Sequence, residues 1–220
     1  MVRFGAARRF GFGLGILAFG WAAAAAAGTI TAQINSDDGA AISDAVVYAV
    51  PVGAPAPLKP SKALMIQENQ QFNPFVLPVQ AGTAVEFPNR DSFRHHVYSF
   101  SPAKSFELKL FGGTETQIVT FDKEGVVALG CNIHDNMLAY IYVVPTPYFA
   151  KTDERGQVTL SDVPAGNYTV KVWHPNQKAG SEQKAALAVA ADGATAYKAA
   201  LTLKRDRKQK KPGAKDETEY

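Results

Sequence analysis

Val126-Val127-Ala128-Leu129-Gly130-Cys131-Asn132-Ile133-His134-Asp135-Asn136-Met137 runs on through Leu138 and Ala139 into Tyr140-Ile141-Tyr142-Val143-Val144. The apolar runs Val126–Leu129 and Tyr140–Val144 have strand length and are rich in β-branched and aromatic residues, so the stretch reads as two strands joined by a short loop. Within that loop Cys131, His134 and Met137 recur at three-residue spacing. One tight turn can then aim all three side chains at a single point.

Upstream, His95-His96 supplies further imidazoles where a paired strand could bring one of them alongside the loop. Neighbouring side chains on a strand point to opposite faces, so only one of the two can face it. One thiolate, two imidazoles and a weak thioether form a donor set suited to a mononuclear copper centre that passes single electrons. Cys131 is the only cysteine of 220 residues and cannot form an internal disulfide. A free thiol in an oxidising compartment is open to oxidation, whereas a metal-bound thiolate is held and shielded.

Export is read from the first 27 residues. Arg3, Arg8 and Arg9 precede an apolar run from Phe10 to Trp21, and Ala22 to Ala27 supply small residues for a signal peptidase, so the mature chain is expected to begin near Gly28. A retained membrane anchor is the rival reading, because the run approaches bilayer-spanning length. Glycines within the run and the alanine tract favour cleavage, with no stable membrane insertion afterwards. Three of the 23 basic residues and none of the 20 acidic ones lie in this leader, which leaves 20 of each sign behind it. Nothing in that balance suggests a nucleic-acid binder.

Short apolar or alternating runs recur along the remainder: Thr29–Ile34, Ala45–Val50, Phe75–Val79, Thr83–Phe87, His96–Phe100, Gln117–Phe121, Gln157–Leu160 and Tyr168–Trp173 join the two already quoted. Turn residues separate them, and no stretch outside the leader carries helical periodicity. The expectation is an all-β protein. Pro51–Pro60 is rich in proline and alanine and reads as an exposed connector. Residues 204–220 are highly charged, with seven basic and four acidic side chains and no apolar period, and are expected to be a disordered tail.

Residues 62–145 resemble the cupredoxin fold, a Greek-key β-sandwich. The segment Gln71-Phe72-Asn73-Pro74 with Val79–Phe87, the approach Asn89-Arg90-Asp91-Ser92-Phe93-Arg94-His95 and the lead Phe121–Gly125 into Val126–Cys131 carry that resemblance. The Cys-x2-His-x2-Met spacing is similar to that of amicyanins. Residues 28–52 and 148–203 resemble a smaller, transthyretin or carboxypeptidase-regulatory-like β-sandwich, through Gly28–Ala32, Asp37–Ile42, Thr152–Gly156 and Val163–Tyr168. The copper domain is then inserted into a loop of a split sandwich. Together with Trp173-His174-Pro175, the whole resembles bacterial exported proteins of the methylamine-utilisation type.

The resemblance implies His95, Cys131, His134 and Met137 as ligands of one type 1 copper ion. It places Asn where this chain has His96, which puts the bracing of the ligand loop in question; Asn89 and Asn132 are candidate bracing residues. Phe93, Phe100, Phe106, Tyr140 and Tyr142 read as core and rim aromatics, and His174 as a structural residue of the second module. The function implied is a periplasmic, monomeric carrier of single electrons between redox protein partners. A copper carrier or storage protein, or an envelope scaffold with incidental copper, are the alternatives. An enzyme is disfavoured, because the chain has four histidines and the proposed centre takes two.

Overall fold

The structure, a computed structural model, describes residues 27–59, 61–113 and 115–204. The expected leader, up to residue 26, and the expected tail from residue 205 lie outside the described residues. Those residues fold entirely as strands, turns and loops, with no helix among them, as the alternating patterns require.

β1 (Ala27–Ser36) and β2 (Val46–Pro51) open a first sandwich. The chain then departs through ten strands: β3 (Lys62–Leu64), β4 (Ile66–Glu68), β5 (Gln71–Asn73), β6 (Val76–Gln80), β7 (Thr83–Pro88), β8 (His95–Ser101), β9 (Lys104–Phe111), β10 (Thr116–Phe121), β11 (Gly125–Gly130) and β12 (Leu138–Val144). It returns to the first sandwich as β13 (Phe149–Lys151), β14 (Gln157–Pro164), β15 (Gly166–Trp173), β16 (Gln183–Val189) and β17 (Ala194–Leu201).

The inner sandwich sets the sheet β10-β7-β3 against the five-stranded sheet β6-β12-β11-β8-β9. Strict alternation drives it. In β7 Thr83, Val85 and Phe87 are buried while Ala84, Glu86 and Pro88 between them are less so. The inward rows meet in a core that includes Phe87, Phe121, Leu129 and Ile141. Burial of each such side chain is worth about 1.5–3 kcal/mol. The Pro51–Pro60 connector is tied down by buried Gln80, whose amide donates to the Pro57 carbonyl at 2.8 Å and accepts the Lys59 N–H at 2.8 Å.

The outer sandwich pairs β14-β1-β17 with β13-β2-β15-β16 around Ile30, Ile34, Val47, Leu160, Val170 and Leu201. Two local devices fix its turns. Gly156 has φ +71° and its backbone lies so close to β1 that a Cβ there would meet the Ile34 carbonyl oxygen at 2.3 Å, so the turn after Asp153 admits only glycine. At the other end the Tyr168 hydroxyl donates to the Pro164 carbonyl at 2.8 Å, the tyrosine corner seen in Greek-key sandwiches.

β2 and β13 are antiparallel neighbours, with Tyr48 opposite Phe149 and Val46 opposite Lys151, so the inner sandwich leaves and re-enters at adjacent strands. The two sandwiches also pack on each other. Val46, Tyr48, Val76 and Val144 form a buried cluster with Phe75, Tyr140, Tyr142 and Trp173 against it. Trp173 stacks on Tyr142 with ring centroids 4.4 Å apart and 10° between planes, and meets Tyr140 edge-on at 6.1 Å. The hydroxyls of Tyr48 and Tyr142 share a hydrogen bond of 3.1 Å.

Candidate metal centre

β11 and β12 are antiparallel partners whose pairing runs out at Gly130 opposite Leu138, so the loop Cys131–Met137 closes over one end of the inner sandwich. The Met137 N–H donates to the His134 carbonyl at 3.0 Å and shapes the loop into a turn. Gly130 is required by its neighbour: a Cβ there would lie 2.7 Å from the Tyr98 ring, on the adjacent strand β8. That close approach brings the start of β8, and with it His95, beside Cys131.

His95, Cys131 and His134 converge so that one ligand atom from each lies within 4.8 Å of the others. His95 Nδ1 and His134 Nδ1 each stand 3.9 Å from Cys131 Sγ. His95 is completely buried, Cys131 and Met137 are buried in the same core, and His134 is half-buried. First-row metal bonds of about 2.0–2.1 Å to nitrogen and about 2.3 Å to sulfur place N and S about 3.8 Å apart at a trigonal angle and about 3.6 Å apart at a tetrahedral one. The two separations are close to these values, so His95, Cys131 and His134 could together hold a first-row metal ion.

The two neighbouring histidines go separate ways. The pairing of β8 with β9 shifts register between His95 and Val97, a bulge that re-aims the side chains at this position. His95 turns into the cluster, while His96 Nε2 lies 2.8 Å from Glu107 Oε1 on β9 and its Nδ1 is buried with no partner among the described residues. His174 lies in the outer sandwich, beyond β15, where its Nδ1 accepts the Asn176 N–H at 3.1 Å.

Behind His95 stands a carboxylate that the sequence reading did not single out. Asp91 Oδ2 is 2.6 Å from His95 Nε2, so the ring donates from Nε2–H and leaves the Nδ1 lone pair facing Cys131. Burial alone would raise the Asp91 carboxyl, but hydrogen bonds from His95, Gln70 N–H and Asn69 N–H outweigh it and hold it below the ordinary carboxylate value. Its only sequence signal is position, four residues before His95 in a turn-rich loop.

Asn89 braces the same loop: its amide donates to the Phe93 carbonyl at 2.8 Å and the Phe111 carbonyl at 3.1 Å, and its oxygen accepts the Asp91 N–H at 2.9 Å. Asn132, the other bracing candidate, is exposed on the ligand loop. The Phe93 ring packs against both imidazoles, 5.1 Å from His95 and 5.5 Å from His134. Phe93, Ile133 and Leu138, on or beside the two loops, are 41–49% exposed, and His134 itself is partly exposed beside Phe93. Phe100, expected in core or rim, is 81% exposed, because it points to the same outward side of β8 as Tyr98, whose ring lies 5.2 Å away.

No protein-family model and no curated protein matches the chain. Solved structures similar to part of it include a Cu-containing nitrite reductase from Thermus scotoductus SA-01, at 31% identity over 44% of this chain and with a TM-score of 0.37. The chain spans only 25% of that reductase. A purple cupredoxin from Nitrosopumilus maritimus is matched over its full length and 38% of this chain, at 21% identity and a TM-score of 0.34. Amicyanin from Paracoccus versutus is matched over 91% of its length and 44% of this chain, at 16% identity and a TM-score of 0.36.

Proposed function

We propose that the chain is a cupredoxin-type protein that binds one type 1 copper ion and carries single electrons between redox protein partners in the periplasm. The observation that carries this reading is the pair of 3.9 Å separations from Cys131 Sγ to the Nδ1 atoms of His95 and His134 at the end of a stiff two-sheet sandwich. Copper in such a site supplies one-electron exchange between two valences. The chain's own residues keep the donor geometry constant, which minimises the rearrangement that accompanies the exchange. His95 is fixed by its strand and by Asp91, while Cys131, His134 and Met137 are fixed by a loop pinned between β11 and β12.

His134 provides the route outward, since its half-buried ring packs against the partly exposed Phe93. An apolar end of this kind suits small, short-lived contacts with redox partners. Met137, buried at the end of the same loop, would supply the thioether in this reading, and no catalytic step is part of it. The burial of His95, Cys131 and Met137 supports retention of the ion over its delivery to another protein.

Titration of the purified chain with Cu(II) tests the reading. An intense visible absorption that bleaches with ascorbate is expected, lost in Cys131→Ser and kept in His96→Ala. A colourless Cu(II) form would refute it, and fast copper loss to a competing apo-protein with slow electron self-exchange would assign a delivery role.

A further inference from the structure

The loop that bears His95 is latched to the hairpin β4–β5 through one carboxylate. Asp91 Oδ1 accepts the Asn69 N–H at 2.7 Å, and Asp91 Oδ2 accepts both the Gln70 N–H at 3.1 Å and His95 Nε2–H at 2.6 Å. Asn69 and Gln70 are the two turn residues of that hairpin and both have positive φ, 56° and 57°. The same hairpin holds the loop from its other side, where the Gln67 carbonyl accepts the Arg90 N–H at 2.8 Å. The Asp91 side chain is 10% exposed, so little water competes for its oxygens.

We infer that Asp91 is a positioning residue that sets the reduction potential of the metal centre, by holding His95 in its Nε2–H form and lending that imidazole anionic character. This rests on the copper reading above. A carboxylate behind a ligating histidine raises the basicity of the ring and fixes its orientation. A more basic nitrogen donor stabilises the more highly charged ion more than the less charged one. Asp91 therefore draws the potential down and strengthens the hold on the oxidised ion. The hydrogen bond at 2.6 Å is at the short, charge-assisted end of the range, consistent with a carboxylate acceptor.

Asp91→Asn keeps the shape and one oxygen acceptor but removes the charge. Voltammetry of the copper-loaded protein, together with Cu(II) and Cu(I) affinities from competition with chelators, reads the effect. Cu(II) affinity is expected to fall about 10–100-fold, with a smaller fall for Cu(I). Each tenfold difference between the two raises the potential by about 59 mV for a one-electron couple.

The variant also withdraws an acceptor from the hairpin turn, so the same substitution is made in a Gln70→Gly background. There Asn-Gly, the favoured pair for a turn with two positive-φ residues, holds the hairpin without help. An equal rise in both backgrounds supports the inference. A potential unchanged by Asp91→Asn, or a rise that vanishes in the Gln70→Gly background, overturns it and leaves Asp91 as a turn cap. Wild-type protein that gives no copper colour would instead remove the metal reading itself.

Discussion

Trp173→Ala tests whether the two sandwiches form one cooperative body. Trp173 lies on β15 of the outer sandwich, and its ring is stacked on Tyr142 at 4.4 Å and set edge-on to Tyr140 at 6.1 Å, both on β12 of the inner one. Each aromatic pair is worth about 0.5–1.5 kcal/mol beyond its area burial. Full truncation of a buried aromatic costs about 3–5 kcal/mol, and Trp173 is only half-buried. A loss of about 2–3 kcal/mol is therefore expected in urea unfolding followed by far-ultraviolet circular dichroism. Because the two lost ring pairs both cross between sandwiches, the single transition should also broaden or split into two. A double-mutant cycle with Tyr142→Leu should return a coupling of about 1 kcal/mol. A loss below about 0.5 kcal/mol with the single transition preserved would refute the reasoning, since the aromatic cluster would then contribute nothing to holding the modules together.

Alkaline pH probes the same interface, because burial first and the Tyr48 hydroxyl second push the Tyr142 phenol far above its ordinary value of 10.0. The folded state then holds a proton that the unfolded chain releases, so the stability this contributes is complete below pH 10 and declines as pH rises further. Thermal melts between pH 9 and about 11 should show this decline, and Tyr142→Phe should make it shallower, the remainder coming from other tyrosines that burial raises, such as Tyr48 and Tyr140; an unchanged slope in the variant would contradict the assignment. Gly130→Ala places a methyl group against the Tyr98 ring at 2.7 Å. It should cost about 1–3 kcal/mol by overpacking and widen the gap between His95 and Cys131, which an altered Cu(II) spectrum relative to wild type would register.

The all-β architecture was legible because most core strands carry large apolar residues at alternate positions, as in Thr83–Phe87 and Gln117–Phe121. β16 and β17 escaped that reading. Their alternation is carried mainly by alanine among lysine, threonine and glutamine, as in Gln183–Val189 and Ala194–Leu201, and alanine gives little contrast with its polar neighbours. β9, an edge strand, was missed although Phe106, Leu108 and Leu110 alternate with Ser105, Glu107 and Lys109 as a strand requires.

The proximity of Cys131 and His134 could be read from spacing alone, because the two are close in the chain. The division of labour between His95 and His96 could not, since it depends on a register shift that no local pattern announces. Nor could Asp91, whose role exists only once a distant hairpin turns two amides toward the His95 loop.

The entry and exit of the inner sandwich have a mechanical consequence. β2 and β13 lie side by side, about 4.8 Å apart as paired strands are, so the inserted body is fastened by two anchors instead of dangling from one leash. A protease that nicks the Pro51–Pro60 segment would leave it still moored through β13. The same adjacency makes the insert a cassette: another sandwich whose own ends meet could be spliced at this junction without forcing the host sheets apart.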